Sequence, residues 1–367
     1  MKNSVNRADL AKTVALVRPA LAAQPYIPAL THVMFSAGYA LAYNDISCIS
    51  VKTDIDIDRC VPGEMLAKAM ASFAAETVAM QYDEKTSTLL MSSGRSKIKL
   101  PTLPVKDFPF EVPTEQGAEI TVTDDIIKGI ERCLMSVGTD PTHPAQMGVT
   151  LDMDDTGNAV LFSTDDYTIS MFGTTSKIEL PGDTPVILPT FFCAQLIALA
   201  KAYPDADAIL VLLPGALMVD FVTPKAPIVT VASLFTRTVV EVEPMDFHKI
   251  VRKHCDVAKL RANPMTKIPD SLDAAFDRAL LMQSVETVKT TEVTVSKTSL
   301  HLRSSSSIGD SEDDVDYAGT TESKFLVDPA LVARALKRCT RASFPAKAVL
   351  MTDDSGAFLH LIAHCSS

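Results

Sequence analysis

One arrangement recurs three times along the chain: a helix, a run of strands, a second helix and a second run of strands. The apolar spacing carries it. In the first third, Leu10, Val14 and Val17 stand at i, i+4 and i+7, one stripe of an amphipathic helix over 7–18 that Pro19 and Pro25 end. Strands over 32–37 and 39–43 turn about Gly38, and a third runs over 47–56. Pro62 opens a second helix with Met65, Ala69 and Phe73 on its apolar face, followed by strands over 77–82, 88–92 and 96–100. The middle third repeats this: a helix over Ile126, Ile127, Ile130 and Leu134 behind the cap residues Thr123, Asp124 and Asp125, then strands, a helix over 189–203, and strands again. The last third has a helix over 271–284 with Leu272, Ala275, Phe276 and Ala279 on one face, and a sixth helix from Asp328 to about Arg341. Between them, strands over 292–296 and 299–303 precede the acidic segment 304–316, which reads as a mobile loop.

The fold class is therefore α+β, one unit of two helices and several strands used three times, with domains at 1–115, 116–243 and 244–367. A chain of 367 residues with 47% hydrophobic and 22% charged residues has material for that many cores. Seven cysteines, odd in number and without a CxxC pair, read as reduced and mostly buried thiols of a cytoplasmic protein. Proline and lysine interrupt the most apolar runs, so no membrane partner is expected.

No nucleotide loop, zinc-protease helix or nucleophile elbow is present, and no cofactor or catalytic residue is indicated; the chain does not read as an enzyme. Asp152 to Gly157 has the outline of a calcium loop, but Thr156 and Ser163 stand where acidic ligands are needed, so a strand-connecting turn is expected. His360, His364 and Cys365 do not make a metal site, because two residues four apart on a strand are separated by about 13 Å. His248, His254 and Cys255 are no better placed.

Positive charge gathers on helices. Arg334, Lys337, Arg338 and Arg341 fall at i, i+3, i+4 and i+7, opposite Val332, Ala335, Leu336 and Cys339. Lys128 and Arg132 repeat the spacing on the third helix, and Lys12, Lys68, Lys201 and Arg278 add one charge to each of the others. Two readings stay open on these residues alone: solvated helix faces, or a basic footprint for nucleic acid confined to one surface of a chain whose net charge is −11.

The stretch Gly94-Arg95-Ser96-Lys97-Ile98-Lys99-Leu100-Pro101-Thr102-Leu103-Pro104, with Asp107-Phe108-Pro109 after it, resembles the end of the first domain of the bacterial DNA polymerase III beta subunit, the sliding clamp. Asn6-Arg7-Ala8-Asp9-Leu10 and Gln24-Pro25-Tyr26-Ile27-Pro28 resemble its start. The resemblance implies a homodimeric ring of six domains that encircles double-stranded DNA without reading sequence, tethers a DNA polymerase and is opened by a clamp loader. It implies that the helix charges above, with Gln24 in place of the family's arginine, face DNA. It implies a peptide-binding pocket at Thr164, Tyr167, Ile169, Met245, Lys249, Ile250, Val288 and Phe358, and a dimer interface in which Ile98 and Leu100 meet Leu280 and Leu281 of a second chain. The chain departs from the pattern in the Thr164 to Ile169 motif and in a tail that stops one strand early, as a phage or mobile-element member of the family would. Those departures keep open an alternative, a clamp-fold platform serving transcription or repair factors; an unrelated β-rich enzyme is the other.

Overall fold

The computed structural model describes residues 2–24, 26–55, 57–238, 264–286, 289–318, 322–345 and 348–365. They gather into two compact units, Met1–Thr123 with Ala194–Glu241, and Asp124–Cys193 with Val242–Ser367. Six α-helices lie among the described residues: α1 (Arg7–Val17), α2 (Gly63–Ser72), α3 (Asp124–Cys133), α4 (Thr190–Ala202), α5 (Asp270–Met282) and α6 (Pro329–Leu336). Two helices fall in each third of the chain, as the spacing predicts.

The first unit holds a four-stranded antiparallel sheet ordered Lys2–Asn6, Thr77–Asp83, Thr88–Ser93, Ser96–Pro101. It also holds a nine-stranded sheet in which Thr230–Arg237, from the middle third of the sequence, pairs with Ser47–Lys52 from the first. The second unit has the same plan. In its eight-stranded sheet Thr168–Lys177 pairs with Phe358–Ala363, and its four-stranded sheet is ordered Gly309–Asp316, Ser299–Ser306, Thr291–Val295, Ser323–Val327. The middle third thus divides between the units, and the division falls inside α4, after Cys193.

Local chemistry sets the helix ends. Asn6 caps α1 by accepting the amides of Ala8 at 2.8 Å and Asp9 at 3.3 Å, and the stripe Leu10, Val14, Val17 is buried as the spacing requires. On α5 the buried set is Leu272, Ala275, Phe276 and Ala279, also as expected. On α3, Gly129 lets the helix ride close to the sheet: a Cβ there would lie 2.6 Å from Leu161 Cδ1 and 2.9 Å from Phe172 Cδ1. α2 differs from expectation. Ala69 and Phe73 are buried as predicted, but Met65 is exposed and Leu66 and Met70 take the buried face beside Ala69.

Two further expectations are corrected. The sixth helix ends at Leu336, not near Arg341. The amides of Arg338 and Cys339 both close back on the Ala335 carbonyl, at 2.9 and 3.0 Å, and Thr340 N then bonds Thr352 O at 2.9 Å, so the chain is drawn into a strand at Arg341–Ser343. The acidic segment after Arg303 is a hairpin, not a loop: Ser299–Ser306 pairs with Gly309–Asp316 over its whole length. Alternation explains this. Val315 points inward, while Asp310, Glu312, Asp314 and Asp316 point to solvent along an open edge, where charge is tolerated and blocks unwanted pairing.

Candidate functional site

Three sets of residues carry the candidate chemistry. The first is the positive charge. Lys12, Lys68, Lys128, Lys337 and the polar Gln24 are exposed. Lys12 lies 5.8 Å from the Tyr203 ring centre and Lys128 lies 5.7 Å from that of Phe172, so both stems lean on aromatic faces. Lys201 is exposed at the end of α4. The arginines are more committed. Arg278 grips Asp313 with both nitrogens, Nη2 at 2.5 Å and Nε at 3.1 Å. Arg334 lies 3.7 Å from Asp165, and Arg341 lies 3.7 Å from Asp354. Arg132 donates to the carbonyl of Arg338 at 2.9 Å, and Arg338 donates to that of Glu131 at 2.7 Å, so each guanidinium caps the helix end of the other. Since α6 stops at Leu336, Arg334, Lys337, Arg338 and Arg341 do not form the single helical face that their spacing predicts.

The second set surrounds the turn at Thr164 to Thr168. Asp165 organises it: its Oδ1 accepts from Tyr167 N at 3.2 Å, Thr168 N at 2.7 Å and Thr168 Oγ1 at 2.8 Å. Thr164 is buried and donates to the Thr168 carbonyl, while Tyr167 stands 68% exposed at the tip. Ile169 pairs across the sheet with Leu361, and Met171 with Leu359. These residues share one face of the sheet with Phe162 and Leu350 in an apolar cluster whose edge, Ile169, Val160 and Met265, is only partly buried.

Phe358 belongs to the other face. Strand residues alternate, so Phe358, His360 and Ile362 point away from Leu359 and Leu361. The Phe358 ring is fully buried 5.6 Å beneath the Arg132 guanidinium. It therefore does not share a face with Ile169, whereas Leu361, which the sequence reading passed over, does. Phe358 was assigned by resemblance alone; the strand's period of two, counted from Ile169's partner, was the signal that could have separated the two faces. Met245, Lys249, Ile250 and Val288 lie outside the described residues. The end of the chain is tied down. The last strand, Phe358–Ala363, is complete, and beyond it His364 stacks on Phe325 at 3.8 Å while Cys365 N bonds Leu326 O at 2.8 Å.

Behind the turn runs a buried polar chain: Thr168 Oγ1 meets Ser136 Oγ at 2.8 Å, Ser136 meets Ser170, and Ser170 Oγ meets His360 Nδ1 at 2.9 Å. His360 Nε2 has no partner among the described residues. Burial first, and the Arg334 charge second, pull the His360 pKa down to about 3. Burial drives the thiols of Cys48 and Cys133 well up, and those of Cys60, Cys193 and Cys339 up to about 12, so these cysteines behave as apolar side chains. Asp154 closes the Met153 to Asn158 turn by accepting from Thr156 and Asn158, which holds its pKa down at about 2; the turn reading of that segment stands.

The third set is a pair of open edges. Ser96–Pro101 is an edge strand, with Lys97 and Lys99 outward; Ile98 is half-buried and Leu100 is packed in its own unit. In the other unit, Gly309–Asp316 is an edge with four outward carboxylates. Leu281, at the end of α5, is 59% exposed, and Leu280 is half-buried.

Comparison with known proteins gives these sets a context. The family description "DNA polymerase III beta subunit, N-terminal domain" matches residues 1–113. The beta sliding clamp of Caulobacter vibrioides is 26% identical over 160 residues, covering 39% of this chain and 41% of that relative. The sequence match thus spans about two fifths of the curated relatives. Among solved structures, the sliding clamp of Bartonella birtlesii bound to griselimycin superposes with a TM-score of 0.83 at 16% identity, over 100% of both chains. The C. crescentus beta sliding clamp, with polyethylene glycol at its putative beta-motif tethering region, superposes with a TM-score of 0.78 at 17% identity, again over 100% of both. The chain has the bacterial sliding-clamp fold. Its first 113 residues match the beta-subunit N-terminal domain, and the curated clamps it resembles are 26% identical over about two fifths of their length. The clamp fold accounts for the recurrence of helix pairs and sheets seen in the sequence.

Proposed function

We propose that this chain is a DNA polymerase sliding clamp, a processivity factor without catalysis of its own. Two chains close head to tail into a ring of six domains, three per chain at about 1–115, 116–243 and 244–367, around double-stranded DNA. Lys12, Lys68, Lys128, Lys201 and Lys337 supply loose phosphate contacts that carry no sequence information and leave the ring free to slide. The groove at Thr164, Tyr167, Ile169 and Leu361 takes short peptides from the polymerase and from the clamp loader, and Met245, Lys249, Ile250 and Val288 remain candidates for its walls. A tethered polymerase that lets go of its primer stays at high effective concentration and rebinds before it diffuses away. The setting is the cytoplasm, where reduced thiols fit; no described helix is long and apolar enough to cross a membrane.

The observation that carries this reading is the pair of edge strands. One unit offers Lys97 and Lys99 on an open edge, and the other offers Asp310, Glu312, Asp314 and Asp316 on another. Opposite charge on two different edges of the same chain suits a heterologous contact between copies, which closes into a ring when the rotation allows. Ile98 with Leu281 gives the contact its apolar centre, and Leu100 supports Ile98 from within. The relatives named above are polymerase clamps, so a platform for transcription or repair factors draws no support from them.

Retention on circular DNA is the test. A nicked plasmid loaded with the protein by a clamp loader is passed through gel filtration before and after linearisation. A clamp stays with the circle and is lost from the linear form. Equal retention on both, or a monomer by light scattering at micromolar concentration in place of about twice 39.5 kDa, overturns the proposal.

A further inference from the structure

The turn that organises the peptide groove has a counterpart in the other unit. In the first unit Asn44 Oδ1 accepts from Ile46 N at 3.1 Å and Ser47 N at 2.7 Å, just as Asp165 Oδ1 accepts from Tyr167 N and Thr168 N. The next residue has positive φ in both turns, 80° at Asp45 and 69° at Asp166. Both of these aspartates accept from the loop before the strand, Asp45 from Tyr26 Oη at 2.5 Å and Asp166 from Gln146 Nε2 at 2.6 Å. Both turns put a large side chain at the tip, Ile46 at 59% exposure and Tyr167 at 68%. Both tip carbonyls are held from the neighbouring strand, by Arg237 N at 2.9 Å and Ala363 N at 2.8 Å. In register, Cys48 with Phe235 stands where Ile169 with Leu361 stands in the other unit.

The contents of the two grooves differ. Over Phe235 in the first unit lies a ring from the chain itself. Phe110 sits 4.9 Å from Tyr43 and 5.5 Å from Phe235, both edge-on or tilted, and is half-buried. Phe108, two residues earlier, is 8% exposed and rooted in the core cluster, so the segment is anchored on one side and shallow on the other. Beside Phe110 a recess of about 340 Å³ remains, bounded by Tyr43, Phe235, Arg237 and the segment running to Glu111.

We propose that the first unit contains a second peptide groove whose resident is the chain's own Phe110-Glu111, and that an incoming peptide of the same chemistry, an aromatic residue followed by a carboxylate, binds there when Phe110 withdraws. Arg237 lines the recess and supplies the charge complementary to that carboxylate. The inference rests on reading the Ile169 and Leu361 groove as a peptide site.

The probe is a synthetic peptide of residues 107–111, Asp-Phe-Pro-Phe-Glu, labelled for anisotropy and titrated into the full chain. Wild type is expected to bind one peptide per chain and Ile169→Asp to weaken that binding at least tenfold. Phe110→Ala is expected to bind two per chain, Phe110→Ala with Ile169→Asp one, and addition of Arg237→Glu to remove that one. One peptide per chain in folded Phe110→Ala overturns the inference and leaves the first groove standing. None in wild type but one in Phe110→Ala upholds the second groove and shows that the first does not take this peptide; none in any form overturns the inference. Should Phe110→Ala fail to fold, chymotrypsin cleavage after Phe110 reads the same exchange in wild type. Saturating peptide is expected to raise the cleavage rate several-fold, and an unchanged rate overturns the proposal.

Discussion

Acid should destabilise the second unit through a single histidine. His360 is fully buried, with Ser170 on Nδ1 and no partner on Nε2 among the described residues, so protonation puts an uncompensated charge inside the sheet. Its folded pKa is held down at about 3, whereas an unfolded histidine titrates near 6.5. The sign follows from linkage. Between those values the unfolded chain takes up a proton that the folded chain refuses. The stability is therefore complete above about pH 6.5 and is lost as pH falls toward about 3. Each pH unit in that window is worth about 1.4 kcal/mol, so a fall from pH 6.5 to 4.5 removes roughly 2–3 kcal/mol and the whole span about 5 kcal/mol. His360→Asn keeps a side chain able to meet Ser170 and does not titrate. Urea unfolding of both proteins at pH 7.5, 6.5, 5.5 and 4.5, followed on the transition that includes the second unit, gives the difference directly. The gap between wild type and variant should be constant above pH 6.5 and shift by about 1.4 kcal/mol per unit below it. Parallel curves down to pH 4.5 would refute the reasoning, since they require that His360 accept its proton in the folded state.

Other consequences can be checked as readily. Phe358→Ala should cost about 3–5 kcal/mol of stability with little change in peptide affinity per folded molecule, and Ile169→Asp should do the reverse; calorimetry and peptide titration of both decide which face of the strand is the groove. Lys97→Glu with Lys99→Glu should split the dimer in a light-scattering dilution series and leave the monomer's melting temperature within a few degrees of wild type; an intact dimer would exclude this edge from the interface. Arg132→Ala should cost about 1–2 kcal/mol and release Arg338 as well, so the double variant Arg132→Ala with Arg338→Ala should cost less than the sum of the two, by a double-mutant cycle. Gly129→Ala, which raises helix propensity, should nevertheless lower the melting temperature, because the new methyl meets Leu161 and Phe172 at under 3 Å.

Much of this was legible in the sequence, and the misses share one cause. Apolar periodicity located all six described helices and showed Leu10, Val14 and Val17, and Leu272 to Ala279, as buried faces. The strand at Ser96 was readable because Pro101 and the alternating residues mark it. What failed depended on what lies across from a residue. Ser304 to Asp316 looks too charged to order until Val315 and the partner strand are in view. Arg341 continues a helical spacing, yet the sheet captures the backbone after Thr340. Phe358 and Leu361 are equally apolar, and only register with Ile169 tells which one shares its face of the sheet. The matching turns at Asn44 and Asp165 escaped notice because their side chains differ while their hydrogen bonds agree.

The charged edges also decide orientation. Two basic edges repel one another, and so do two acidic ones, so a face-to-face dimer of matching edges is disfavoured and only basic-to-acidic closure lowers the energy. A ring closed that way has no two-fold axis lying in its plane. In the proposed ring the two copies of any one groove then open on the same side, so a docked partner meets both from one direction. An edge that first reads as protection against aggregation thereby becomes the element that gives the assembly a front and a back.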